Sequence, residues 1–164
     1  MKKYTIWFLL ILLSFGAANI FASGDTASSN IKREKFDPLR DPAKDLVKII
    51  KKAKSEKKNI LLDIGGEWCP WCRKIDEFIE LNPSVKQALL ENFIVMKVNV
   101  SKENKNEKFL VKYPKVDGYP HYFVLAPDGK LLLSQGTDVF ENGKTYDDKK
   151  LIEFFNKWKK SGTK

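Results

Sequence analysis

Ile60-Leu61-Leu62-Asp63-Ile64-Gly65-Gly66-Glu67-Trp68-Cys69-Pro70-Trp71-Cys72-Arg73-Lys74 joins two kinds of local order. Its first half belongs to an apolar run that starts at Asn59 and is interrupted only by Asp63, the pattern of a central strand buried on both faces. Gly65-Gly66 ends that strand. From about Cys69 to Leu81, Ile75, Phe78 and Ile79 fall on one face at helical spacing, and Asn82-Pro83 breaks the helix. A C-x-x-C pair that opens a helix just after a strand is a redox arrangement. Unpaired N–H groups and the macrodipole at a helix start stabilise an anion, so the thiolate of Cys69 is favoured and Cys69 is the expected nucleophile. Cys72 lies one turn deeper on the same face, where it can reach back and displace a mixed disulfide formed at Cys69. The spacing by itself also admits a structural disulfide or half of an intermolecular metal site. Two cysteines and one histidine cannot complete a four-ligand zinc site within the chain, and no metal or other cofactor is expected.

Upstream, Asp41 before Pro42 is a helix start, because Asp caps free N–H groups and Pro is pre-set for the first helical position. Leu46, Val47, Ile49, Ile50 and Ala53 carry that helix to about Lys57. Downstream, Val85 to Leu90 is a further helical piece, Phe93 to Val100 a second apolar strand, and a short helix carries Phe109, Leu110 and Tyr113. Tyr119-Pro120 leads into a third strand, His121 to Leu125, and Pro127-Asp128-Gly129 turns it back as Leu131 to Ser134. Gly136 to Tyr146 reads as a loop, and Asp147 to Lys160 as an amphipathic helix with Leu151, Ile152, Phe154, Phe155 and Trp158 apolar. Strands separated by helices imply parallel pairing, with the hairpin adding an antiparallel edge.

The chain has 164 residues and a formal net charge of +9, a length that favours one domain. A composition of 43% hydrophobic and 31% charged residues excludes a disordered chain, and two cysteines exclude a disulfide-dense scaffold. No finger, RNP or Gly-rich phosphate motif accompanies the basic charge, so nucleic acid is not an expected partner. Lys2 and Lys3 precede an apolar run and then small residues at Ala17, Ala18, Ala22, Ser23 and Gly24, which describes a secretory signal peptide over residues 1–22. Its uninterrupted apolar stretch is short for a membrane span, although an uncleaved anchor is the alternative. Removing it takes away two lysines and no acids. Residues 23–40 read as a flexible arm and 41–164 as the folded domain. The expected location is periplasmic or secreted.

Taken in order, these motifs closely resemble the thioredoxin family. Ile60 to Lys74 is similar to its active-site strand and helix, Met96-Lys97-Val98-Asn99-Val100 to its next strand, Gly118-Tyr119-Pro120 to the segment carrying its cis-proline, and Pro127-Asp128-Gly129-Lys130 to its edge hairpin. The resemblance spans about residues 42–160. It implies an α/β, thioredoxin-like fold with a central mixed sheet of four to five strands flanked by helices on both faces. It implies that Cys69 and Cys72 form a redox-active disulfide. Asp63 matches a buried acid beneath the second cysteine, able to relay a proton to or from Cys72. Lys97 matches a lysine facing that acid, though a lysine whose stem merely snorkels from a strand is the plainer reading. Pro120 matches a cis-proline packed on the sulfurs, and the backbone of Tyr119 would pair with an extended substrate. Trp68 matches an exposed aromatic beside the reactive cysteine, and Pro70 and Trp71 complete the substrate-facing set.

Two departures matter. The intervening pair is Pro70-Trp71, where thioredoxins usually carry Gly-Pro and strongly oxidising periplasmic enzymes Pro-His. Trp71 offers no cationic stabilisation to Cys69, which leans toward a reductase or mild exchanger. His121 stands where a threonine is usual, either as a modulator of the thiolate or as a hydrogen-bonded strand histidine. The expected activity is thiol–disulfide oxidoreduction on protein or peptide disulfides by a monomer, with a thiol/disulfide electron-transfer partner such as a membrane carrier. The alternatives are an oxidase or isomerase using the same site, and a non-catalytic binding or chaperone-like module of the same fold.

Overall fold

The computed structural model describes residues 33–159. The segment read as a signal peptide lies outside these residues. Helix α1 (Pro42–Glu56) is capped by Asp41, whose carboxylate accepts from the N–H groups of Ala43 and Lys44. It is followed by β1 (Asn59–Gly65), α2 (Pro70–Leu81), α3 (Pro83–Asn92), β2 (Phe93–Asn99), the four-residue α4 (Glu107–Leu110), β3 (His121–Leu125) and β4 (Leu131–Gly136). A 3-10 turn (Thr137–Phe140), a small hairpin of β5 (Glu141–Asn142) and β6 (Thr145–Tyr146), and α5 (Asp148–Asn156) complete the order. Among the described residues no helix is long and apolar enough to cross a membrane.

The main sheet has the order β2-β1-β3-β4. Every residue of β1 is buried, as its apolar run requires, and successive side chains alternate between two cores. Leu61 joins Ile75, Ile79, Val85 and Phe155 beneath α2, α3 and α5. Ile60, Leu62 and Ile64 join Ala53, Met96, Phe109 and Phe123 beneath α1 and α4. By the same alternation Asp63 shares the face of Leu61, under α2. The fold is the expected mixed sheet with helices on both faces.

One pairing differs from expectation. β1 and β2 are parallel, but β3 runs antiparallel to β1, with Ile64 opposite His121 and Ile60 opposite Leu125. The connection holds no crossover helix: residues 100–120 include only the four-residue α4, about 6 Å long, and are otherwise irregular. The chain therefore re-enters the sheet at the end it left. The expected loop over 136–146 also contains β5 and β6, joined by Gly143-Lys144 with Gly143 at φ 61°. A glycine opening a two-residue loop is a hairpin signal that the short flanking strands obscure.

Candidate active site

The antiparallel placement of β3 brings three loops to one end of the sheet: the β1–α2 turn with the cysteines, the segment before β3 with Tyr119 and Pro120, and the end of β2. Cys69 is the N-cap of α2, and its sulfur accepts the N–H of Cys72 at 3.2 Å. Its thiol also donates to the carbonyl oxygen of Tyr119 at 3.6 Å. The two cysteines are buried, unpaired thiols. Burial pushes the Cys72 thiol up, reinforced by its bond with Cys69 and by the nearby Asp63 charge, against a smaller lowering by the Gly66 backbone. Cys72 is thus held protonated at neutral pH and needs a base before it can attack.

A Cβ at Gly65 would lie 2.6 Å from the Cys72 sulfur, so this position tolerates only glycine while the sulfur keeps its place. The Tyr119–Pro120 bond is cis, Pro120 is buried, and its carbonyl oxygen accepts from the hydroxyl of Thr137 at 3.0 Å. Trp68 is 56% exposed, donates its indole N–H to Val100 and meets Tyr119 edge-on at 5.7 Å. Pro70 is exposed beside it. Trp71 is turned toward the hairpin, edge-on to Tyr146 at 5.4 Å, with the Lys74 ammonium 3.9 Å above its ring.

Behind Cys72, Asp63 and Lys97 are register partners on β1 and β2. The Lys97 ammonium donates to Asp63 at 2.7 Å and to Asp76 at 2.6 Å, all three groups being buried. Lys97 is therefore a paired buried cation and not a snorkelling one. One lysine between two carboxylates leaves the cluster with an excess negative charge. Burial and the facing Asp63 carboxylate push Asp76 up to about 7, against the pull of Lys97 and Arg33. His121 turns away from this cluster: its Nε2 lies 2.8 Å from the Ser134 hydroxyl and its ring leans on Phe123. Burial lowers its pKa, against Asp117 and Asp138.

Asp76, Arg33, Phe36 and Glu67 escaped the sequence reading. Asp76 had a legible signal, because it follows Cys72 by four residues on one helix face. The other three had none: Arg33 and Phe36 precede the first periodic segment, and Glu67 sits in a turn.

The raised Asp76 has a measurable consequence. Its folded pKa exceeds its ordinary value of 3.8, so its contribution to stability is complete below about pH 4 and is lost as pH rises through about 7. That loss amounts to as much as about 4 kcal/mol. Asp76→Asn, which mimics the protonated acid, is expected to flatten the fall in Tm between pH 5 and pH 8 and to exceed the wild type at pH 8. An unchanged slope would show that Asp76 ionises freely.

The model of the thioredoxin-like family matches residues 41–127. The chain belongs to the thioredoxin-like family. Within it, this thioredoxin-like chain is similar to the thiol:disulfide interchange protein DsbD of Pseudomonas fluorescens, at 26% identity over 71% of the chain and 20% of that protein. DsbD 2 of Pseudomonas aeruginosa is 29% identical over the same share of the chain and 19% of its own length. The chain thus spans about a fifth of these curated relatives. Among solved structures, a disulphide isomerase from Xylella fastidiosa Temecula1 is 27% identical with a TM-score of 0.64, covering 74% of this chain and 94% of that one. The C-terminal domain of DsbD from Neisseria meningitidis in its oxidised form, at 23% identity and a TM-score of 0.52 over 77% of this chain and 100% of that one, shares the fold.

Proposed function

We propose that the chain is an extracytoplasmic thiol–disulfide oxidoreductase that reduces protein or peptide disulfides. One observation carries the reading: the Cys69 sulfur caps α2 and accepts the Cys72 N–H, while Cys72 itself is buried and held protonated above a carboxylate–lysine–carboxylate cluster. The two sulfurs are thereby made unequal, as an attacking and a resolving thiol must be. The relatives named for thiol:disulfide interchange and disulphide isomerisation support the same chemistry.

In the reducing direction the Cys69 thiolate attacks one sulfur of a substrate disulfide. A Cys69–substrate disulfide forms and the other substrate sulfur leaves as a thiolate, which takes up a proton. Cys72 then loses its proton and attacks Cys69, so that the Cys69–Cys72 disulfide forms and the second substrate thiolate departs. Two electrons have passed to the substrate, and a thiol donor must return the pair to the dithiol. Trp68, Pro70 and the Tyr119 backbone are the surface on which we place the substrate chain, with Trp71 at its border. Asp63 and Lys97 handle the Cys72 proton. His121 is assigned a structural part in β3, in keeping with its bond to Ser134.

The direction follows from what stabilises the thiolate. A strongly oxidising pair owes its potential to a stabilised reduced form. Pro70 and Trp71 supply no cation to Cys69, and the nearby Lys97 is taken up by Asp63 and Asp76. Residues 1–22 are assigned to secretion and 41–164 to the catalytic domain, against which residues 33–40, read above as part of a flexible arm, are packed through Phe36 and Arg33. Equilibration with glutathione buffers tests the direction: a potential below about −200 mV fits a reductase, and one near −120 mV would make the chain an oxidase. Insulin reduction with dithiothreitol tests the activity, and turnover no greater than that of Cys69→Ser would leave only a binding module.

A further inference from the structure

We propose that residues 33–36 form a seal over the buried acid–lysine cluster, and that Arg33 and Phe36 are positioning residues that set how readily Cys72 gives up its proton. The proposal deepens the dithiol reading above and rests on it.

The seal is built from two contacts tied by one carboxylate. The Arg33 guanidinium, only 13% exposed, engages both oxygens of Glu67 and reaches Asp76 at 3.4 Å. Glu67 also accepts the backbone N–H of Phe36 at 2.9 Å. Glu67, in the turn just before Cys69, therefore fixes the side chain of one end of the segment and the backbone of the other. Further on, Asn104 donates to the Pro38 carbonyl at 2.9 Å, and Arg40 pairs with Glu34 and Asp45. The Phe36 ring is 3% exposed. It packs with Cys69 and Cys72, and the Lys97 ammonium sits 4.1 Å from its centroid. Phe36 thus covers both the sulfur that must be deprotonated and the cation beside its base.

Behind the segment is a cavity of about 160 Å³ whose lining includes Arg33, Asp63, Asp76, Lys97 and Tyr122. Asp63 Oδ1 is buried there with no hydrogen-bond partner among the described residues. The groups that face the cluster are Cys72 from α2, Tyr122 from β3 and Arg33 from the segment, with Glu34 of the segment, Glu80 of α2 and Lys86 of α3 along the cavity wall.

In the resolving step the Cys72 S–H bond breaks, its proton passes to a carboxylate of the cluster, and the thiolate forms the bond to Cys69 while the Cys69–substrate bond breaks. The seal keeps the Cys72 sulfur dry and so holds its proton on until the mixed disulfide is in place. Opening it hydrates the sulfur and stabilises the thiolate prematurely.

The test is the pH profile of iodoacetamide alkylation of Cys72 in a Cys69→Ala background. Phe36→Ala is expected to raise the rate at pH 8 at least tenfold and move the profile to lower pH. Arg33→Ala should move it the same way by at least threefold, and Phe36→Leu, which keeps an apolar cover, should retain the parent profile. Circular dichroism checks folding in each. If Phe36→Ala unfolds, Arg33→Ala decides, since its side chain lies at the cluster's edge. A folded variant of either residue to alanine with the parent profile overturns the proposal. Insulin reduction by the wild-type chain is read separately: its absence alongside shifted profiles would sink the reductase reading and leave the seal standing, and normal turnover with unshifted profiles would do the reverse.

Discussion

Cys72→Ser is expected to stop the reaction at the mixed disulfide, leaving substrate bound covalently through Cys69. Cys72 is held protonated, which keeps it from competing for the first attack, and the N–H bond of residue 72 to the Cys69 sulfur survives the substitution. The first step should therefore proceed while the second cannot. Cys69→Ser removes the attacking sulfur and should lower disulfide reduction by at least about 10³-fold, as loss of a nucleophile does. Mass spectrometry of the trapped species checks both: an adduct on Cys69 in the first variant and none in the second. Adducts on Cys72 in Cys69→Ser at a comparable rate would reverse the assigned order of attack.

Lys97→Met should cause the largest loss of stability. It leaves Asp63 and Asp76 buried and facing each other with no ammonium between them. Removing one member of a buried ion cluster costs about 3–5 kcal/mol, because the remaining charge is uncompensated. The penalty depends on pH with a definite sign. Without the pull of Lys97 the Asp76 carboxyl is pushed further above its unfolded value, so the stability that it contributes is present in acid and lost as pH rises through the folded value. Urea unfolding should show most of the deficit at pH 8 and a much smaller one at pH 5. Equal deficits at the two pH values would mean that Lys97 contributes packing and little charge.

The central strand, the cysteine helix and the hairpin were legible because their signals are local: an unbroken apolar run, a break at paired glycines, a helical period, a turn with Pro and Gly. The Asp63–Lys97 pair was legible only through the resemblance, since nothing in one sequence gives the register that sets β1 beside β2. The direction of β3 was misread because counting helices between strands ignores their length, and α4 is too short to pack along the sheet as a crossover helix. Asp76 was within reach of helical spacing, yet its isolated carboxylate looks like any solvated helix acid. Phe36 and Arg33 could not be read at all. Their meaning lies in contacts with Lys97, Glu67 and Asp76, far along the chain, and their own segment has no period to betray a buried face.

The reacting centre draws on stretches scattered from Arg33 to Thr137, and none of its groups is reactive by virtue of sequence neighbours alone except the helix cap at Cys69. An unfolded chain carries two commonplace thiols, a soluble acid and a soluble lysine. The inequality of the thiols arises only when these stretches dock, so the order in which the two sulfurs react belongs to the folded chain and not to the C-x-x-C sequence.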